Sequence, residues 1–303
     1  LAAAVTNDVR KGFVYKRVPH VTLKSIANNP DIKEGMTRAE IDIAIARHAD
    51  TELLFDQPYE DSKRIRVTGP FTFESLSPHR MLSTEEARPN TEGAVHAFCH
   101  AIPDTWHQMG VILSATDSLN WLARITGRKQ ADLATAAEAQ FTGPGEEIFL
   151  PYLSGERTPH NNAGARGSFV GLSHLSHPAR LAQAVMEGVT FAFRDSQRVL
   201  SDAGTRIDRL LAVGGGSKSA LWLKMIATNL DMEIAVPEDG DFGGALGAAR
   251  LGLCAAEGAS PTSVMTMPPI KTTIAPDRSL SAAYSDQYAR YRALYPAIEE
   301  ARK

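Results

Sequence analysis

A run of apolar residues meets three glycines in the stretch Leu210-Leu211-Ala212-Val213-Gly214-Gly215-Gly216-Ser217-Lys218-Ser219. Four apolar residues in a row are long enough for a buried strand, and the glycines after them predict a tight turn. Glycine allows positive φ angles and carries no Cβ, so a ligand can approach the backbone of such a turn. The stretch therefore predicts a strand that ends in a glycine turn.

The residues after this turn continue with alternating helix and strand patterns. Helical spacing relates the apolar residues Leu223, Ile226, Ala227 and Leu230. A short strand pattern follows at Ile234-Ala235-Val236, and the small residues from Gly243-Gly244 onward predict a second helix. The order strand, turn, helix, strand, helix predicts an α/β fold.

The glycine turn has two interpretations. The helix after it would present free N–H groups and a partial positive charge, which suit a phosphate group. However, the stretch has neither the G-x-x-x-x-G-K-[ST] spacing of a Walker loop nor the G-x-G-x-x-G spacing of a dinucleotide fingerprint. A nucleotide-binding turn and a tight turn that binds nothing therefore both remain open.

The composition is that of a globular protein. The chain has 303 residues, 43% of them hydrophobic, and a net charge of −3. Such a charge argues against a general affinity for nucleic acid or for anionic membranes, and no apolar run is long enough for a membrane span. Two isolated cysteines, Cys99 and Cys254, are interpreted as buried free thiols in a reducing cytoplasm. The start, Leu1 to Val5, is no signal peptide, and without Met we expect it to be cut from a longer chain.

The residue composition and the secondary-structure patterns of the sequence change near residue 89. Prolines and polar turns break residues 1–88 and predict an irregular segment with little core. Its phrases Val18–Pro30 and Arg64–Arg80 resemble adenine-specific DNA methyltransferases of the type III modification kind, so a methyltransferase fragment is an alternative function. The string nearest to that family's (Asp/Asn)-Pro-Pro-aromatic motif is Asp56-Gln57-Pro58-Tyr59, which is interpreted as an ordinary turn.

The second part, residues 91–303, predicts regular elements throughout. The predicted strands include Val95–Ala101, Ile148–Leu150 and Gly167–Leu172. Four helices are predicted. The first starts at Trp106–Met109 and ends at Gly127, and the second covers Gln130–Gln140. The third runs from Pro178 to Leu200 and is stopped at Gly204, and the fourth runs from Ser281 to Leu294 and is stopped before Pro296. Three histidines, His96, His100 and His107, could share a metal ion, but their spacing favours core or hydrogen-bonding roles.

The second part resembles the FGGY carbohydrate kinases, and among them those that act on D-xylulose. The strings that carry the resemblance are Val95–Ala101, Pro151–Asn162, Gly167–Gly188, Gly214–Trp222 and Gly243–Arg250. The resemblance implies an actin-like, ribonuclease-H-like domain, a mixed sheet with flanking helices, that binds ATP with Mg²⁺. Two positions depart from the family pattern, Arg180 in its second signature and Thr228 where Asp usually ends the adenosine helix.

The resemblance also implies which residues bind the nucleotide. Gly214, Gly215 and Gly216 would let the backbone meet adenosine and the α-phosphate, Ser219 matches a position that contacts adenine, and Gly243 and Gly244 would start a helix beside the nucleotide. No catalytic residue and no metal ligand is assigned. The family's general base belongs to an N-terminal kinase domain that these residues do not contain, and neither Asp104 nor Asp117 matches its motif.

Three expectations follow from that absence. The chain alone is expected not to phosphorylate D-xylulose, although it keeps the ATP-binding half. An apolar cleft face left uncovered would favour self-association or a homodimer. A non-catalytic actin-like module that binds nucleotide is a third candidate function.

Adjacent opposite charges mark the loop after the predicted strand Ile148–Leu150. Glu156 and Arg157 lie in the string Tyr152–Asn162, which matches the kinases closely. Arg157 could pair with Glu156 or reach toward substrate. The favoured interpretation is a structural clasp under the cleft between domains, and the alternatives are direct catalysis and a plain hydrated turn.

Overall fold

The computed structural model describes residues 71–74, 83–84, 89–100, 102, 105–238 and 243–302. The chain forms two compact units, residues 1–64 and residues 65–303, and the described residues belong to the second. The methyltransferase-like phrase Val18–Pro30, the string Asp56–Tyr59 and Asp104 lie outside the described residues. The domain boundary near residue 89 stays a prediction.

Strands and helices alternate along the described residues. The strands are β1 (Phe71–Glu74), β2 (Ser83–Thr84), β3 (His96–Cys99), β4 (Trp106–Met109), β5 (Ile148–Leu150), β6 (Ser168–Val170), β7 (Arg209–Ala212), β8 (Ile234–Pro237) and β9 (Ile270–Ile274). The helices are α1 (Thr116–Thr126), α2 (Gln130–Gln140), α3 (Pro178–Asp202), α4 (Ala220–Leu230), α5 (Gly243–Glu257), α6 (Pro261–Val264) and α7 (Ser281–Ala301), with 3-10 turns at Gly215–Lys218 and Arg278–Leu280.

The strands of the described residues form three sheets. The largest has the order β1-β7-β8-β9, in which β7 and β8 are parallel and the outer pairs are antiparallel. The others are the antiparallel sheets β2-β4-β3 and β5-β6. This mixture of parallel and antiparallel strands with helices confirms the predicted α/β class.

Helix α3 is the centre of the core. It begins at Pro178, which suits the first turn because its missing N–H would be unpaired there, and Gly204 beyond its end has a φ of +80°. It packs against α1, α2, α4, α7 and β5. At Gly188 an added Cβ would lie 2.1 Å from the carbonyl oxygen of Phe149, so only glycine allows β5 to approach this closely. The predicted helix at Pro178 and its predicted stop at Gly204 are confirmed.

Helix α4 places its apolar face in the same core. The four residues predicted to share a face, Leu223, Ile226, Ala227 and Leu230, are all buried. In addition, the indole N–H of Trp222 donates to the carbonyl of Met186 on α3 over 2.9 Å. The strand–turn–helix unit is therefore fixed to the central helix by both apolar contacts and a buried hydrogen bond.

The predicted start of the first helix is wrong. Trp106–Met109 is strand β4, paired with β3 in the register His96↔Met109, and helix α1 begins only at Thr116. The residues between β4 and α1 are not helical. The backbone N–H groups of Val111 and Leu113 donate instead to the side chains of Thr158 and Glu156 in a distant loop. These contacts cannot be read from local periodicity.

The predicted end of the last helix is also wrong. Helix α7 runs through Pro296 to Ala301. Proline removes one helical hydrogen bond, but contacts on both sides of it hold the helix on the core. Tyr284 and Tyr291 are buried before it, and Glu299 accepts a hydrogen bond from Asn162 at 2.8 Å after it.

Both cysteines are free thiols, as predicted, but they are only partly buried. No helix among the described residues combines the length and the apolar character that crossing a membrane would require.

Candidate functional site

The glycine turn lies directly after β7. Gly214 has a φ of +84°, a left-handed conformation that favours glycine, and the 3-10 turn Gly215–Lys218 follows it. The hydroxyl of Ser217 donates to the carbonyl of Gly214 over 2.6 Å and closes the turn. Ser219 then caps helix α4, because its Oγ accepts the N–H of Trp222 at 3.3 Å.

One glycine of the turn borders open space. An added Cβ at Gly215 would meet no heavy atom within 4 Å, and the residue is exposed. Gly216, next to it, is buried in the turn. The turn therefore presents bare backbone to solvent at Gly215, on the approach to the N-terminus of α4.

The second glycine pair begins the helix that comes next in the chain after β8. Strands β7 and β8 are parallel neighbours, so their carboxyl ends lie side by side. The glycine turn follows β7, and α5, which begins at Gly243 and Gly244, is the next helix after β8. In open α/β sheets this is the edge at which ligands bind. The glycine turn thus lies at this edge, directly after β7.

The loop after β5 is built around the buried carboxyl group of Glu156. Glu156 is 1% exposed, and its Oε1 accepts the backbone N–H groups of Arg157 at 2.7 Å and Leu113 at 3.1 Å. Its Oε2 has no hydrogen-bond partner, and burial raises the pKa of this carboxyl to about 8. Glu156 therefore joins its own loop to the segment before α1.

Thr158 provides a second link between the same segments. It is fully buried, its Oγ1 accepts the N–H of Val111 at 2.8 Å, and the same hydroxyl donates to the carbonyl of Ala94 at 3.0 Å. Its own N–H donates to Val111. The sequence analysis assigned no role to Thr158. Its position in the kinase-like string Tyr152–Asn162, two residues after Glu156, is the sequence feature that could have pointed to it.

Arg157 does not pair with Glu156. The two side chains, both in the described part of the chain, form no ion pair, because the carboxylate faces the backbone. Instead the exposed guanidinium of Arg157 donates to Nε2 of His96 over 3.2 Å. The described residues therefore do not contain the ion pair between Arg157 and Glu156, and an interaction of Arg157 with substrate stays a prediction.

A tyrosine cluster attaches this loop to α7. The hydroxyl of Tyr152 lies 2.8 Å from that of Tyr291 and 3.1 Å from Nε2 of His160. The ring of His160 stacks on Tyr295 with 3.6 Å between centroids. Burial, with the charges of Arg292 and Arg198, lowers the pKa of His160 to about 4, so the ring is neutral at pH 7.

The three histidines in and next to the β3–β4 sheet have different surroundings. His96 accepts from Arg157, and Nδ1 of His100 accepts the N–H of Ile102 at 3.0 Å, which confirms hydrogen-bonding roles for these two. Burial, and then the nearby His100, lower the pKa of His107 to about 4. Across the described ranges, no three His, Cys, Asp or Glu residues are grouped to hold a metal ion.

The two positions that depart from the kinase pattern have structural contacts. Arg180 donates to the exposed Glu146 at 2.8 Å and to the buried Glu147 at 3.1 Å. The hydroxyl of Thr228 accepts the N–H of Asp277 at 2.9 Å. Asp117 lies in the first turn of α1.

Comparisons of sequence agree on one family. A profile of the C-terminal domain of the FGGY family of carbohydrate kinases matches residues 79–256. The xylulose kinase of Escherichia coli is 42% identical over 209 residues, which cover 68% of this chain and 43% of that protein.

Comparisons of structure agree with those of sequence. A crystal structure named as a xyloylose kinase from Brucella ovis is 54% identical, with a TM-score of 0.68, and the match covers 72% of this chain and 45% of the other. A xylulose kinase from Rhodospirillum rubrum is 26% identical with a TM-score of 0.62, over 72% of this chain and 44% of its own. The fold is thus the actin-like fold of these kinases, and the chain spans less than half the length of these relatives.

Proposed function

From the premise that this chain belongs to the FGGY family of carbohydrate kinases, we propose that it carries the ATP-binding part of a D-xylulose kinase. The reaction is transfer of the γ-phosphoryl group of ATP to a hydroxyl of the ketopentose. Relatives named as xylulose kinases, 42% and 54% identical to this chain, support this choice of sugar.

The observation that carries the proposal is the placement of the two glycine groups. Gly214–Gly216 directly follow β7, and Gly243–Gly244 begin the next helix after β8, the parallel neighbour of β7. One of the turns leaves open space at Gly215, where a Cβ would meet no atom. Backbone without side chains, next to a helix N-terminus, is suited to a nucleotide because a phosphate can accept N–H groups there.

Each residue of the turn has a defined part in this account. Gly214 supplies the left-handed turn, Gly215 exposes its backbone, and the absence of a Cβ at Gly215 and Gly216 lets adenosine and the α-phosphate approach the turn. Ser219 contacts adenine while its Oγ keeps the cap on α4. Gly243 and Gly244 begin α5 beside the nucleotide. Mg²⁺ would neutralise charge on the phosphates, with the phosphate oxygens as main ligands.

The sugar side of the reaction is not assigned to described residues. Phosphoryl transfer depends on holding the hydroxyl, its base and the γ-phosphate in line. In this proposal the described residues fix the nucleotide, and other parts of the kinase supply the base and the sugar pocket. Self-association belongs to the same proposal, because Leu172 and Leu175 are 58% and 71% exposed, and light scattering would detect it.

Calorimetric titration of the 303-residue chain with MgATP tests the proposal. Gly215→Leu fills the open space and should weaken binding at least tenfold. Gly252→Leu is the matched control, because a Cβ at this exposed position in α5 also meets no heavy atom within 4 Å. It should bind as the parent does. Absence of ATP binding by the parent chain, or equal binding by both variants, would remove the nucleotide assignment of this turn.

A further inference from the structure

Arg157 is a positioned cation without a carboxylate partner in the described part of the chain. Its guanidinium is exposed, and its side-chain hydrogen bond goes to Nε2 of His96 at 3.2 Å. Several other arginines of the described residues have acidic partners, for example Arg302 with Glu299 at 2.6 Å and Arg198 with Asp202 at 3.3 Å. The difference leaves the charge of Arg157 available to an anion.

The backbone under Arg157 is held on both sides by buried groups. Before it, Glu156 accepts the N–H of Arg157 itself and that of Leu113. After it, Thr158 bonds to Val111 and Ala94. Buried hydrogen bonds of this kind are costly to break, so the Cα of Arg157 has little freedom to move.

His96 forms the other half of the contact. It lies on β3, and its ring stacks near that of Phe98 with 5.6 Å between centroids. Its Nε2 accepts from the guanidinium, which ties the side chain of Arg157 to β3. An arginine oriented in this way keeps its remaining N–H groups for an oxyanion, and its planar fork matches a phosphate.

We propose that Arg157, oriented by His96 and held by Glu156 and Thr158, is a phosphate-binding residue. This inference rests on the proposed kinase function and deepens it. The ligand chemistry is a phosphate ester, and two sources share it, the polyphosphate of ATP and the phosphate of the product D-xylulose 5-phosphate. Glu156 is then a positioning residue, because it acts on the ligand only through Arg157.

The test compares three ligands on the full chain. The ligands are ATP, adenosine and D-xylulose 5-phosphate, and the measurement is the dissociation constant of each. Arg157→Gln should weaken one of the two phosphorylated ligands at least tenfold and leave adenosine unchanged. Arg166→Gln is the matched control, because this exposed arginine of the same loop region donates to the carbonyls of Ala163 and Ala165 and should change nothing.

Glu156 variants separate positioning from stability. Glu156→Ala should weaken the same phosphorylated ligand as Arg157→Gln does, while adenosine binding stays intact. Glu156→Gln keeps an oxygen that can accept both N–H groups, so it should restore affinity to within about threefold of the parent. A merely structural role would lower the melting temperature and adenosine affinity together.

The outcomes distinguish the inference from the function beneath it. If adenosine binds but Arg157→Gln binds ATP and the sugar phosphate as tightly as the parent, the inference is wrong and the proposed function stands. If the parent chain binds D-xylulose 5-phosphate through Arg157 but neither ATP nor adenosine, the inference holds and the nucleotide assignment fails. If neither phosphorylated ligand binds the parent chain, both are wrong.

Discussion

The hydroxyl groups of Tyr152 and Tyr291 lie 2.8 Å apart, although 139 residues separate them in the chain. Each residue is 1% exposed, and burial raises the pKa of both phenols, so both remain protonated donors at all ordinary pH values. This contact ties the loop that carries Glu156 and Arg157 to the C-terminal helix.

A double-mutant cycle measures this contact. Tyr152→Phe and Tyr291→Phe should each lower the free energy of unfolding by about 1 kcal/mol, because each leaves a buried hydroxyl with one partner fewer. The double variant should lose less than the sum, with a coupling of at least about 0.5 kcal/mol. Urea unfolding of the four proteins supplies the numbers. Strict additivity would show that the two hydroxyls do not interact in solution.

Gly188→Ala should destabilise the domain. The new methyl group would lie 2.1 Å from the carbonyl oxygen of Phe149, so α3 and β5 would have to separate, at a cost of about 1–3 kcal/mol. Gly252→Ala is the control in another helix, where the methyl group meets no atom and should stabilise by up to about 1 kcal/mol. Thermal unfolding compares the two. Equal effects would contradict the close approach of β5 to α3.

Glu156 should make stability fall as the pH rises. Its folded pKa of about 8 exceeds the ordinary value of 4.5, so the folded chain holds a proton that the unfolded chain releases. The contribution to stability is fully present below pH 4.5 and is lost as the pH rises through about 8. Glu156→Gln holds no such proton. The difference in melting temperature between parent and variant should therefore change between pH 5 and 9, and a constant difference would argue against a buried neutral carboxyl.

Glu147 should show the opposite dependence. Burial acts to raise its pKa, but hydrogen bonds from Ser176 and Arg180 outweigh burial and hold the pKa below its ordinary value. Stability from this carboxylate is present above the ordinary pKa of 4.5 and is lost as the pH falls through the lower, folded value. Arg180→Gln should thus lower the melting temperature at pH 7 and have little effect near pH 3. An effect of equal size at both values would assign Arg180 a packing role.

Local patterns predicted the parts of the fold that local physics decides. The β7–turn–α4–β8 order, the proline start of α3 and the glycine stop after it follow from periodicity and backbone conformation, and the structure confirms them. The helix start predicted at Trp106–Met109 was wrong because pairing with β3 overrides any helical tendency of these four residues. The helix end predicted before Pro296 was wrong because tertiary contacts of α7 outweigh the one hydrogen bond that proline removes.

The candidate site shows the same division between features that the local sequence reveals and features that tertiary contacts decide. The glycines could be found because the absence of a side chain is visible in a sequence. The role of Glu156 could not, because its partners are the backbone groups of Leu113 and Arg157, and no residue type at position 113 reveals that contact. The link between Arg157 and His96 joins residues 61 apart and depends on the register of β3 against the loop.

Backbone amide NMR of the 303-residue chain with ATP tests the central claim most directly. If the glycine turn holds the nucleotide, the amide signals of Gly214–Ser219, Gly243 and Gly244 should shift on addition of MgATP, and adenosine should shift a subset of them. The amide of Gly252, on the same helix as Gly243 but two turns on, should stay in place. Shifts that spare Gly214–Ser219, or no shifts at millimolar MgATP, would contradict the claim that this turn binds the nucleotide.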